Sequence, residues 1–327
     1  MKISVIGAGS FGTALAMVLT NKGHDVTIYG RNQAQMQMMK ATGGNHRYLP
    51  GVILPKALKP TSDLQEALID CELAVLSVPA QSLRSMLINM HAIRDDIALV
   101  NVAKGLEIGT LKRMSEIVRE YYPDSRFACL SGPSHAEEVA RYLPTTVCVA
   151  SDDPEFAVAV QRIFMDDNFR VYTNDDLIGV ELGGSIKNII ALACGISDGL
   201  GLGDNAKAAL ITRGIAEMTR LGIAMGGKPE TFAGLSGIGD LVVTCTSMHS
   251  RNRRFGILLG QGMDTESALQ KIGMVVEGYT TQEAANELSK IHNIDMPITN
   301  TMHRLLNGEV DAEECVRLLM GRKEKHE

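Results

Sequence analysis

The chain has 327 residues, 45% of them hydrophobic, which suits a soluble globular protein long enough for two domains that each bury a core. A formal net charge of −6 argues against general nucleic-acid binding, so any anionic ligand must be met by particular residues rather than by a broad basic face. Apolar stretches are broken by charges or glycines before they reach membrane-spanning length, and the N-terminus lacks a secretory pattern; the expectation is a cytoplasmic protein with no membrane partner.

The first predicted strand, Lys2–Ile6, runs directly into Gly7-Ala8-Gly9-Ser10-Phe11-Gly12 and then into the apolar helix former Thr13-Ala14-Leu15-Ala16-Met17-Val18-Leu19. This is a dinucleotide-binding fingerprint in its proper setting. Gly7 permits the tight turn, Gly9 lets the backbone approach a pyrophosphate, and Gly12 lets helix and strand pack closely. The free N–H groups of the helix start then face the phosphates.

A second strand is read at Asp25–Tyr29, with further strands at 73–78, 97–102, 126–130, 145–149 and 169–172 and helical patterns between most of them. Alternation of this kind predicts an α/β fold with a Rossmann-type, doubly wound, mostly parallel sheet. Beyond about residue 174 the strand pattern fades, and helical spacing takes over at 189–200, 206–225 and 280–288. We therefore expect a dinucleotide-binding domain over 1–174 and an all-helical, substrate-binding domain over 175–327, with Asn174 and Asp175 available to cap its first helix. Residues 322–327 read as a frayed polar tail.

Strand two ends in Tyr29-Gly30-Arg31-Asn32, with no carboxylate to hold a ribose hydroxyl. Arg31 instead suits the 2′-phosphate of NADP, and Asn32 is not repulsive toward NAD. Among groups able to do chemistry, Lys187 is the best base. Its helix is almost bare of other charges, Gly183 and Gly184 precede it at i−4 and i−3, and desolvation can bring a lysine from about 10.4 toward roughly 7 to 8. The two helical glycines also suggest that something approaches closely there.

Lys104 closes a strand at the carboxyl edge of the sheet, where ligands bind in such folds, and is placed to polarise a carbonyl. Ser131-Gly132-Pro133-Ser134-His135-Ala136-Glu137-Glu138 follows another strand, with Ser134 as a helix cap, Glu137 as its capping-box partner and His135 in a structural role. In the helical half, Asp240 ends the glycine-rich turn Gly234-Leu235-Ser236-Gly237-Ile238-Gly239, as orienter of the base, hydroxyl ligand or plain cap. Ser250, Asn252 and the start of the helix they open, with Arg251 turned inward, form a candidate phosphate site, while about two of Arg251, Arg253 and Arg254 should stay in solvent. The six cysteines are widely spaced without a C-x-x-C pair, so buried free thiols are expected rather than zinc or disulfides.

Seven ordered motifs, G-A-G-S-F-G-T-A-L-A from Gly7, V-A-K-G-L-E from Val102, S-G-P-S-H-A-E-E-V from Ser131, G-G-S-I-K-N ending at Asn188, G-L-S-G-I-G-D-L through Asp240, S-R-N-R-R-F-G from Ser250 and V-V-E-G-Y from Val275, run nearly the whole length. Together they resemble the bacterial NAD(P)-dependent glycerol-3-phosphate dehydrogenases. The resemblance implies NAD(P)H-dependent reduction of dihydroxyacetone phosphate to sn-glycerol 3-phosphate, the backbone of phospholipids. Lys187 would then be the proton acceptor in oxidation and donor in reduction. By matching motif, Lys104, Gly132, Ser134, Lys187, Asp240, Ser250, Arg251 and Asn252 would contact substrate. Ser10, Phe11, Arg31, Lys104, Ala136, Arg251, Val275 and Glu277 would contact NADP or NAD. Phe11 stands where that family often has Trp or Tyr, which keeps an aromatic surface.

The implied mechanism is direct hydride transfer to the C2 carbonyl in a cleft between the domains, without a metal, and with Lys104 helping to polarise the oxygen. A β-hydroxyacid or ketopantoate type reductase is the alternative, disfavoured because its substrate is a carboxylate rather than a phosphate. A non-catalytic dinucleotide sensor would have no reason to keep Lys187, Lys104 and Asp240 together. A homodimer is the default assembly.

Overall fold

The protein is described by a computed structural model covering residues 1–324 and 326. Its strands are β1 (Lys2–Ile6), β2 (Asp25–Tyr29), β3 (Lys59–Thr61), β4 (Leu73–Leu76), β5 (Ala98–Asn101), β6 (Phe127–Ser131), β7 (Thr145–Ala150) and β8 (Phe169–Asn174). They make one sheet in the order β3-β2-β1-β4-β5-β6-β7-β8. All neighbours pair in parallel except β6 and β7, which run antiparallel with Ser131 opposite Cys148. Sequence order reverses between β1 and β4, so the carboxyl end of β1 is the switch point where such sheets open a ligand crevice. The strands read as unbroken apolar runs because both faces are covered: every residue of β4 and of β6 is buried.

The helices of this half are α1 (Ser10–Asn21), α2 (Gln33–Thr42), α3 (Leu64–Leu68), α4 (Leu83–His91), α5 (Met114–Tyr121), α6 (Ala136–Val139) and α7 (Pro154–Phe164). Then follow α8 (Leu177–Gly199), α9 (Gly203–Ala224), α10 (Pro229–Phe232), α11 (Asp240–Thr246), α12 (Arg251–Gly260), α13 (Thr265–Ile272), α14 (Glu277–Ile291), α15 (Pro297–Leu306) and α16 (Ala312–Met320). The chain divides into two compact units, one of residues 1–104 and 112–181, the other of residues 105–111 and 182–327. The expected α/β sheet followed by helices is what the structure shows.

Several local expectations change. Strand β3 carries no alternation strong enough to read, being three residues long with Pro60 in its middle, a residue an edge strand tolerates. The cap of α8 is Asp176, whose Oδ1 accepts from Gly179 N at 2.8 Å, whereas Asn174 accepts from Asp176 N just ahead of it. Helix α8 is long and apolar enough to cross a membrane by composition, yet 94% of its most apolar window is buried inside the protein. The polar tail expected at 322–327 falls partly outside the described residues, at Lys325 and Glu327, while Arg322 is ion-paired with Asp295 at 2.7 Å. All six cysteines are buried.

One buried carboxylate fastens the helical unit. Glu217 of α9 is fully buried and accepts from Ile298 N at 2.6 Å, from Thr299 N at 3.1 Å and from Thr299 Oγ1 at 3.1 Å, closing the N-terminus of α15. Burial pushes its carboxyl up to about 7, against the opposing pull of these donors and of the Arg220 guanidinium. A folded-state value above the unfolded one means that Glu217 adds stability most at low pH and loses that contribution as pH rises through about 7. Glu217→Gln, which keeps an acceptor for both N–H groups, should therefore remove about 2 to 3 kcal/mol of the pH-dependent change in unfolding free energy between roughly pH 5 and pH 8. Denaturant unfolding of the two proteins across that range checks it; parallel pH profiles would overturn the assignment.

Candidate active site

The turn after β1 is built by two glycines with different jobs. Gly7 adopts φ +122°, and a Cβ there would lie 2.4 Å from the carbonyl oxygen of Ser77 beyond β4. Gly12 brings α1 onto that turn, since its Cβ would lie 2.0 Å from Gly7 O. Gly9 occupies the N-cap of α1 with open space where a Cβ would project, so the first N–H groups of α1 have no side chain of their own cap to bind. This fits a pyrophosphate. Ser10 Oγ donates to Tyr48 O at 2.7 Å, Phe11 is half-buried, and Arg31 is exposed just past β2. Asn32 caps α2 by accepting from Gln35 N at 3.0 Å.

At the carboxyl ends of β5 and β6 the structure gathers three predicted residues around one carbonyl. Lys104 Nζ and Ser134 Oγ both donate to Gly132 O, at 3.2 Å and 2.9 Å. Gly132 holds φ +140° with its Cα side pressed against Val147. The expected capping box is absent because Ser134 turns back to Gly132; His135 takes the N-cap place of α6, and Ala136 is its buried first residue.

Lys187 does not reach out to water. It is 6% exposed on α8, and its Nζ donates to Asp240 Oδ1 at 2.8 Å and to Thr244 Oγ1 at 2.7 Å. Asp240 is 2% exposed, so a buried cation is neutralised by a buried anion, the arrangement that makes such burial tolerable. The close approach expected at the helical glycines is found at Gly183, where a Cβ would lie 2.6 Å from Ser236 O. Ser236 belongs to a π-helical turn, Leu235–Gly239, in which Gly237 leaves helical geometry at φ −93°, ψ −107°. That turn delivers Asp240 as the first residue of α11, where it is ion-paired with Lys187.

Thr244 was not read from the sequence. Its hydroxyl also donates to Asp240 O, one helical turn back, and the signal was the i, i+4 spacing that puts Asp240 and Thr244 on one face of α11. Asn188, beside Lys187, was likewise missed. Its Oδ1 accepts from Asn252 Nδ2 at 2.9 Å, and Asn252 Oδ1 accepts from Gly278 N at 2.8 Å, joining α8, α12 and the start of α14. Earlier on α8, the buried Glu181 accepts from Ser115 N, Ser115 Oγ and Arg113 Nη1 at 2.6 to 2.7 Å. Burial pushes its carboxyl up, with Arg113 pulling the other way.

Ser250 is the N-cap of α12, its Oγ accepting from Arg253 N at 3.2 Å. Arg251 Nη1 donates to Val275 O at 3.0 Å, one residue before the N-cap of α14 and two before Glu277. None of the three arginines lies open in solvent as expected for two of them: all are half-buried, and Arg253 pairs with Asp198 at 2.7 Å. The Cys245 thiol next to Thr244 is pushed well up by the neighbouring Cys194 thiol and by burial, so it stays protonated and is no nucleophile.

Each unit thus carries one polar cluster: a glycine-turn edge with Lys104, Gly132 and Ser134, and a helical cluster of Lys187, Asp240 and Thr244 with Ser250, Arg251 and Asn252. The family model described as NAD-dependent glycerol-3-phosphate dehydrogenase N-terminus matches residues 2–157, and the one described as its C-terminus matches residues 176–317. A glycerol-3-phosphate dehydrogenase, NAD(P)+, of Moorella thermoacetica is 55% identical over 99% of this chain and 97% of its own. That of Thermoanaerobacter sp. (strain X514) is 52% identical over 100% and 99%. The crystal structure of glycerol-3-phosphate dehydrogenase from Coxiella burnetii superposes with a TM-score of 0.95 at 43% identity, covering 98% of this chain and 99% of that one. A glycine turn at the switch point of the sheet, a buried lysine on the longest helix and matches running through both halves agree, and the chain belongs to the NAD-dependent glycerol-3-phosphate dehydrogenase family.

Proposed function

We propose that the protein reduces dihydroxyacetone phosphate to sn-glycerol 3-phosphate with NADPH or NADH, reversibly, supplying the backbone for glycerophospholipid synthesis. The observation that carries this reading is Lys187, buried and hydrogen-bonded to Asp240 and Thr244. When bound, the dihydronicotinamide supplies a hydride to the C2 carbonyl carbon of the substrate. As that carbonyl becomes an alkoxide, Lys187 gives it a proton, and in the oxidative direction Lys187 takes the hydroxyl proton. Asp240 and Thr244 hold the Lys187 ammonium in place, while Lys104 polarises the carbonyl oxygen as negative charge develops. Ser250, Arg251, Asn252 and the start of α12 receive the phosphate, for which charge-assisted donors are suited.

Residues 1–174 are assigned to the dinucleotide and 175–327 to the substrate. Gly7, Gly9, Ser10, Phe11 and Gly12 would take the pyrophosphate side, Arg31 the 2′-phosphate of NADP, and Ala136, Val275 and Glu277 further contacts. Family membership and the Ser250, Arg251 and Asn252 set favour a phosphate substrate over the carboxylate of a ketopantoate or β-hydroxyacid reductase. A cytoplasmic homodimer is the assembly we assign by the prevalence of symmetric dimers.

The primary test is NADPH oxidation with dihydroxyacetone phosphate beside unphosphorylated dihydroxyacetone; turnover that depends on the phosphate is expected, and folded protein inert toward the phosphorylated ketone sinks the reading. Lys187→Ala should lower kcat by about 10² or more while NADPH fluorescence titration shows unchanged binding. Near-normal turnover would remove Lys187 from the chemistry. Arg31→Ala should cut the ratio of kcat/KM for NADPH over NADH by about tenfold, mostly by raising the KM for NADPH, since one charge-assisted fork to a phosphate is lost. An unchanged ratio would show that another group reads the 2′-phosphate.

A further inference from the structure

Helices α8 and α12 touch backbone to backbone along one seam. At one end Asn188 and Asn252 are hydrogen-bonded at 2.9 Å. One turn on, a Cβ at Gly256 would lie 2.1 Å from Leu192 O and 2.9 Å from Ile196 N, and a Cβ at Gly195 would lie 2.1 Å from Arg253 O. One turn further, a Cβ at Gly260 would lie 2.4 Å from Ile196 O, and a Cβ at Gly199 would lie 2.4 Å from Ile257 O. Asn252, Gly256 and Gly260 follow at i, i+4 and i+8, so they share one face of α12. Asn188, Leu192, Gly195 and Gly199 share the facing stripe of α8.

The two ends of the active-site cluster hang from these helices. Lys187 precedes Asn188 on α8, and Ser250 and Arg251 open α12 just before Asn252. Side-chain packing would let the separation between helices vary with rotamers, whereas contact of main chain on main chain fixes it at its minimum. We propose that Gly256 is a positioning residue for substrate length: by clamping α12 on α8 it sets the span between the proton-transferring Lys187 and the phosphate donors at Ser250 and Arg251. This inference rests on the phosphate reading proposed above. A three-carbon phosphate must reach both ends at once, so only a ligand that bridges them senses the span.

Gly256→Ala tests it, because a methyl group there forces the helices apart by about 1 Å, a misplacement large enough to cost up to about 10²-fold in reactivity. Three probes separate the possibilities. The kcat/KM for dihydroxyacetone phosphate should fall by about tenfold or more. Inhibition by inorganic phosphate, which occupies one end, and the residual slow turnover of unphosphorylated dihydroxyacetone at high concentration, which uses the other, should each change by less than about threefold. Rates are taken per folded molecule, from active protein counted by NADPH titration. Gly260→Ala strains the same seam one turn farther from Ser250, and serves where Gly256→Ala yields no folded protein; it should shift the same ratio in the same direction by a smaller factor. Equal losses with all three probes would reduce the seam to ordinary packing, and an unchanged preference for dihydroxyacetone phosphate would overturn the proposal. A wild-type enzyme indifferent to the substrate phosphate and uninhibited by inorganic phosphate would instead fail the underlying phosphate reading.

Discussion

A cation buried inside a bundle of helices is the constraint around which the helical unit is organised. Lys187 and Asp240 are each more than nine-tenths hidden, and removing charges of that size from water costs several kcal/mol per ion unless partners replace the solvent. The replacement is local and specific. Asp240 supplies the opposite charge, Thr244 supplies a second acceptor, and the Thr244 hydroxyl returns its own proton to the main chain of Asp240. Taking away one partner of such a pair costs about 3 to 5 kcal/mol, more than replacing both with apolar groups, so the pair holds orientation at the expense of stability. An arrangement of that kind suits the proton transfer proposed for Lys187.

Delivering Asp240 to that point requires a departure from regular helix. The carbonyl of Ser236 lies where only a glycine at position 183 leaves room, and the π turn that carries it widens the helix just before Asp240. Gly237 in turn lies against Phe232, where a Cβ would meet the Phe232 carbonyl oxygen at 2.0 Å. The glycines of this segment are thus spent on approach between main chains, and the local cost of about 1 kcal/mol for a glycine inside a helix is accepted at Gly183. The same logic recurs at the edge of the sheet, where Gly12 seats α1 on the turn that Gly7 makes possible.

How far the sequence revealed this follows from the range of each interaction. The turn after β1 was legible because strand, glycines and helix are consecutive, and the sheet was legible because buried parallel strands leave apolar runs. Lys187 and Asp240 were each legible as candidates, and their pairing as one of three readings of Asp240, but with 53 residues between them nothing in either segment decided among the three. Thr244 was hidden by being an unremarked helical threonine; only the direction of α11 makes its i, i+4 relation to Asp240 matter. Ser134 misled for the opposite reason: its spacing to Glu137 is that of a capping box, yet its hydroxyl donates to the carbonyl of Gly132, a residue held at positive φ, and His135 takes the N-cap place of α6. Short edge strands such as β3 escape because three residues cannot show a period.

The arginines at the start of α12 show how this acidic protein holds its cations in place beside the proposed phosphate site. Arg253 and Lys207 both pair with Asp198, each at 2.7 Å, and Lys207 also reaches Asp204 at 3.7 Å. Arg251 donates to the carbonyl of Val275, which fixes the guanidinium beside the start of α14. Lys104 is held in the same way on the carbonyl of Gly132. Lys187 is balanced by a full carboxylate, and its buried setting explains why: without water a neutral acceptor alone would leave the ammonium too costly to hide. Main-chain carbonyls thus help to place Arg251 and Lys104, while a buried carboxylate places Lys187, the residue to which the proposed reaction assigns the proton.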